Sequence, residues 1–198
     1  MKMHRLKSLL LAAAVLAAVP AVVHAQAFRL GIVDLRKVFE GYYKTKEADV
    51  RIKEDAAGLE KNVRDMLEDY RKANEDYKQR SEAANDAAIS VEERQRRRKA
   101  AEDKLIEIKQ LEQQVETYRR QSQESLIEKR TRMRDQILKE IRETIVARSK
   151  AAGYTLVLDT AAISRNETPI VLYTSGENDM TDEILRQLNA NAPAGALR

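Results

Sequence analysis

The 198-residue chain contains no cysteine and no tryptophan, only three prolines and six glycines, and 5% aromatic residues. Without cysteine, no disulfide holds the fold together, and neither a thiolate nucleophile nor a cysteine-based zinc site exists. Both histidines, His4 and His24, lie within the first 24 residues. Everything after them lacks the side chain that most often moves protons near neutral pH, so Ser-His-Asp chemistry and histidine-ligated metals are excluded there. No glycine-rich phosphate loop occurs, and no carboxylate pair is isolated in an apolar run as general acid–base catalysis would need. Long hydrophobic runs are also missing. The longest, Leu9 to Val19, is 11 residues, too short to span a bilayer as a helix.

That short run is nevertheless informative. Lys2, Arg5 and Lys7 precede it, Pro20 ends it, and Val23-His24-Ala25 places modest or small residues before a cleavage point. The pattern predicts a secretory signal over residues 1–25, cut after Ala25 or, with Ala25-Gln26-Ala27, after Ala27. The segment carries three cations and no anion. The remaining chain then has 33 basic and 32 acidic residues, a net of +1, where the whole chain has +4. Export across the inner membrane also removes nucleic acid as an expected partner.

From Thr45 to Ala84 the composition turns charged and alanine-rich, with one glycine and no proline. Ile52, Ala56, Leu59, Val63, Met66, Tyr70, Ala73 and Tyr77 recur at alternating steps of four and three, a sustained heptad seam. Tyr70 and Tyr77, with Tyr118 further on, read as seam residues. The seam stops at residues 85–90. Ser90 followed by Glu93 has the capping-box spacing, so a second helix is expected to start at Val91 and run to Ala152, where Gly153 suits a C-terminal cap. Its apolar set includes Val91, Ala101, Leu105, Ile108, Leu111, Val115, Ile137 and Ile141. Two long helices joined by a short turn make an antiparallel hairpin, an arm over residues 44–151 with its tip near 85–90. Many seam residues are small, so the arm is expected to be thin and bendable.

The β-forming segments lie at the chain ends. "FRLGIVDL", residues 28–35, predicts a strand followed by a helix capped at Asp34, and "YTLVLD", residues 154–159, predicts a second strand. "PIVLYT", residues 169–174, predicts a third with Pro169 at its first position. "DMTDEILRQLN" predicts a short helix, and residues 191–198 an unstructured tail. A hairpin brings its ends together, which sets strand 28–34 beside strand 154–159. The expected class is α+β: a small β-rich body from residues 26–43 and 152–190, carrying a long coiled-coil hairpin. Only 57 residues make that body, marginal alone and with exposed edges, so self-association through Leu30, Ile32, Val33, Leu156, Val157, Leu158, Ile170 and Leu172 is expected.

In order along the chain stand the signal, "RLGIVDLRKVFE", a charged helical hairpin, "GYTLVLDTAAI" and "MTDEILRQL". The arrangement resembles the OmpH/Skp family of periplasmic chaperones over nearly the whole chain after the signal. The resemblance implies a jellyfish-like homotrimer, a β body with three helical tentacles, that holds unfolded outer-membrane proteins without ATP. From the residues themselves, no enzyme activity, cofactor or metal is expected. The chain departs from the family pattern by extra residues between "VLD" and the last helix, including Asn166 to Tyr173.

One motif stands apart. Arg94, Arg96, Arg97, Arg98 and Lys99 form a basic collar around the second helix near the arm tip. Residues 91–150 carry 17 basic and 12 acidic residues, and residues 151–198 carry 3 and 6. The expected molecule has positive arms and a negative body end, and the collar is a candidate contact for acidic client segments or anionic lipids; lipopolysaccharide is a partner that the resemblance implies, with no residue placed for it. The competing expectation is a solvated helix face on an exported coiled-coil spacer or tether.

Overall fold

The computed structural model describes residues 28–196; the expected signal, residues 1–25, lies outside them. Leu30–Val33 forms strand β1 and Leu35–Gly41 helix α1. The long helices are α2, Tyr43–Ala84, and α3, Val91–Ala152. Strand β2 is Leu156–Asp159 and helix α4 is Thr181–Asn189. The chain is mostly helical, with the long helices laid out as a hairpin beside one small pair of strands.

Local chemistry sets the boundaries. Asp34 caps α1 by accepting from the Lys37 N–H at 2.8 Å. Ser90 caps α3 by accepting from the Glu93 N–H at 3.2 Å, with Glu92 and Glu93 in the positive first turn. Gly153 closes α3 at φ +71°, a conformation that a side chain would strain. Between α1 and α2, Tyr42 leaves helical geometry for an extended backbone while its ring is buried, so the chain bends there without losing packing.

Strands β1 and β2 pair in parallel, in the register Leu30 with Leu156 through Val33 with Asp159. The other edge of β1 is filled by the segment entering α4. The Ile32 N–H donates to the Asn178 carbonyl at 3.1 Å, and the Met180 N–H donates to the Ile32 carbonyl at 2.9 Å. This corrects the expected third strand at 169–174. The sheet has two strands. Residues 169–173 follow a tight turn at Ser164–Thr168 and are held there by one antiparallel bridge, Ile163 to Pro169, with the Ile170 N–H donating to the Ala162 carbonyl at 2.9 Å. Proline offers no N–H there, and Asn178–Met180 already holds the β1 edge. Past α4, residues 190–191 and 194–196 form turns, with the Ala192 N–H donating to the Asn189 carbonyl and the Ala196 N–H to the Pro193 carbonyl.

The core of the body is not confined to the body segments. Val33, Val38, Tyr42, Met180 and Ile184 are buried against Ile137 and Ile141 of α3, with Met133 and Ile145 packed alongside. The last turns of α3 therefore run through the body and complete its core. α1 crosses α4 so closely that a Cβ at Gly41 would sit 2.8 Å from a Leu185 methyl.

Candidate functional site

The arm is held by two kinds of contact. One is the seam. Ile52, Ala73, Ala101, Ile108 and Val115 are buried, and Leu59, Val63, Met66, Tyr70, Tyr77 and Tyr118 are half-buried. The other is a series of polar rungs between the helices. Lys44 donates to Glu140 at 2.7 Å, Lys129 pairs with Asp55, Asn62 donates to the Tyr118 hydroxyl at 2.8 Å, and Lys104 reaches Asp76 at 3.2 Å. Residue numbers rise on α2 as they fall on α3, as folding back requires. The Lys104 rung replaces an expected apolar one. Leu105 is 36% exposed and Val91 is 63% exposed, whereas the Lys104 side chain is only 18% exposed. Keeping the strict three–four rhythm through 101, 104, 108, 111, 115 and 118 would have found Lys104. A search for apolar residues alone steps past it. The Lys104 ammonium is shared between Glu107 of its own helix at 2.6 Å and Asp76 of α2 at 3.2 Å, so sliding the helices would cost it the cross-helix partner and favours this register.

At the arm root, Tyr42, Lys44 and Glu140 form one cluster. The buried Tyr42 hydroxyl donates to Glu140 at 2.8 Å. Burial first, then that bond, pushes the Tyr42 phenol up to about 12. Burial alone would raise the Glu140 carboxyl, but the hydrogen bonds from Lys44 and Tyr42 outweigh it and hold the group below its ordinary value.

The basic collar divides. Arg97 pairs with Glu93 at 2.9 Å and donates to the Ala83 carbonyl at 3.3 Å. Arg94 donates to the Asp86 carbonyl at 3.4 Å. These two half-buried guanidinium groups satisfy carbonyls at and just beyond the end of α2, where the helix leaves them without intrahelical partners. Arg96, Arg98 and Lys99 are exposed and have no partner among the described residues. Two of the five candidates are thus structural and three face outward.

The seam also leaves space. Between the middle parts of α2 and α3 lies an apolar groove of about 600 Å³, lined by Ala56, Leu59, Val63, Leu67, Ser122 and Leu126, with Arg64 and Arg119 at its rim. The small side chains of Ala56 and Ser122 fill little of this space. Among the described residues no group of three His, Cys, Asp or Glu side chains is placed to hold a metal ion.

The body residues also separate by environment. Ile32 and Val33 are buried within the subunit, while Leu30, Val157 and Leu158 are half-buried. Leu156 faces outward, as do Ile170 at 59%, Leu172 at 80% and Tyr173 at 86% exposed. The outer edge of β2 pairs with no strand among the described residues. A free strand edge and an exposed apolar strip thus lie in the same small body.

No helix among the described residues is long and apolar enough to cross a membrane. No curated protein matches the chain. The family model described as outer membrane protein (OmpH-like) matches residues 29–188, which takes in both strands, both arm helices and nearly all of α4. Membership carries, in general terms, a periplasmic, chaperone-like function and outer-membrane proteins as the kind of partner. A hairpin of two long helices standing on a small parallel strand pair, matched over this span, places the chain in the OmpH-like family.

Proposed function

We propose that the mature protein is an ATP-independent periplasmic holding chaperone that captures unfolded outer-membrane proteins and keeps them from aggregating before insertion. The observation that carries this is the arm's construction. Its helices are pinned by spaced polar rungs over a thin seam, so an apolar groove stays open at mid-arm and clients find many weak contacts instead of one deep pocket. Weak, sequence-tolerant binding lowers the free concentration of an unfolded chain and suppresses its association. Release needs no hydrolysis when the inserted client is the more stable state. The proposal assigns the protein no catalytic residue, cofactor or metal.

The body supports self-assembly into a homotrimer, its three antiparallel arms hanging around a shared space. Leu156, Ile170, Leu172 and Tyr173 form the apolar surface, and the open β2 edge can accept a strand from a neighbour. Such a contact joins unlike surfaces, and a rotation of about 120° between neighbours closes it into a ring of three. Arg96, Arg98 and Lys99 are the collar residues left to attract acidic client segments, anionic lipid or lipopolysaccharide.

The test dilutes a urea-unfolded outer-membrane β-barrel into buffer with and without the mature protein and follows light scattering, with sedimentation to count subunits. Suppressed scattering by a trimer is expected. Unaltered scattering would identify a spacer or tether instead.

A further inference from the structure

The arm carries a second groove that overlaps the tip-facing end of the apolar one, and its chemistry is different. It measures about 470 Å³, and its α3 wall is Gln110, Gln113, Gln114, Thr117, Tyr118 and Gln121. Met66 of α2 forms the opposite side. Residues 110, 114, 117 and 121 recur at steps of four, three and four, so they make one stripe. The α3 residues of the apolar groove, 119, 122, 123 and 126, start two positions on from 117, roughly 200° around the helix. The two grooves therefore open on opposite sides of the hairpin.

Two properties set the second groove apart. None of its seven lining residues is charged, in a chain that is 34% charged. The four glutamines are exposed, and none has a hydrogen-bond partner among the described residues. Each primary amide offers two donors and a carbonyl acceptor. An unfolded polypeptide presents the complementary set at every residue, one N–H and one C=O, whatever its side chains. An uncharged wall of amides, four residues deep, matches that repeating pattern and favours neither sign of client charge.

We infer that this glutamine groove is a binding site for extended polypeptide backbone. The inference rests on the chaperone function proposed above and supplies it with a mode of recognition independent of client sequence. It divides the arm's work. The apolar groove takes side chains, and the amide groove takes main chain. Contacts of the second kind are largely insensitive to salt, because no ion pair is involved.

The test uses the full mature protein and a variant carrying Gln110→Ala, Gln113→Ala, Gln114→Ala and Gln121→Ala together. Circular dichroism checks that the helical content is kept, which alanine favours. Two probes are compared at high salt: an uncharged Ser/Thr/Tyr peptide of about 12 residues, long enough to follow the stripe, and the same peptide N-methylated at alternate residues. The wild-type protein is expected to bind the unmethylated peptide about tenfold more tightly, a preference that two or so hydrogen bonds can supply. In the variant the preference should disappear. Equal wild-type affinities for the two peptides, or a preference that survives in the variant, would overturn the inference. An unfolded barrel is titrated alongside. If the wild type captures it while ignoring methylation, only the backbone site is lost. If the wild type fails to capture it at any salt, the chaperone function itself fails, and the inference with it.

Discussion

The body and the arm are built from the same chain on opposite principles. In the body, residues from five elements converge, and Val38, Ile141 and Ile184 lose all or nearly all contact with solvent. In the arm, contacts come from two helices only, and buried positions such as Ala73 and Ala101 are small. The body gains its order from converging apolar side chains. The arm gains register from polar rungs and leaves its flanks open. On the proposed function, stability and capture fall to separate regions, and a thin arm can bend without loosening the base.

The comparison breaks most visibly at the junction. Ile141 is fully buried and belongs to α3, yet it packs in the body. Ile141→Ala should destabilise the body by about 2–5 kcal/mol, the usual range for a large-to-small change in a tight core. Urea unfolding monitored at body and arm positions should show the loss first at the body. A loss confined to the arm would mean that α3 does not complete the core.

At the tip, Ser90→Ala removes the cap of α3 and should cost about 1 kcal/mol. Hydrogen exchange should quicken in residues 91–95 and leave β1 unchanged. An effect of similar size and opposite sign is expected at Gly58, whose missing Cβ would meet nothing within 4 Å. Gly58→Ala should stabilise α2 by up to about 1 kcal/mol. If arm softness serves capture, the same change should slow release of an unfolded client.

A pH signature is expected at the arm root. Tyr42 is raised to about 12, so the stability its proton supplies is complete below the free phenol's value and is lost as pH rises through about 10 toward 12. Glu140 is lowered, so its contribution is present above the ordinary carboxylate value and is lost as pH falls through its folded value. Tyr42→Phe should flatten the alkaline decline, because the titrating proton is gone. Denaturation midpoints across that range, for wild type and variant, check the sign.

Much of this division was legible in the sequence. The heptad steps from Ile52 to Tyr77, the Ser90–Glu93 cap and Gly153 located the long helices, because local periodicity and end chemistry act within a few residues. The pairing of residues 28–34 with 154–159 followed from a hairpin bringing its ends together. Other features were not legible. "PIVLYT" has the composition of a strand, but whether it pairs depends on which segment takes the edge of β1, and the backbone of Asn178 and Met180 won that place. The collar looked uniform as a string of cations. Only the position of the α2 carbonyls separates Arg94 and Arg97 from Arg96, Arg98 and Lys99. The glutamine groove left no motif, since a run of polar residues on a charged helix looks like ordinary surface until the opposite helix is placed.

The central claim is that clients are held by the arm and not by the body. A chain without cysteine permits a direct measurement. An environment-sensitive fluorophore is attached at Leu67→Cys beside the apolar groove or, in a separate variant, at Leu172→Cys on the body, and a urea-unfolded outer-membrane barrel is titrated in. The account predicts a blue shift that saturates with client at position 67, with little change at 172. A saturating shift at 172 with none at 67 would contradict it.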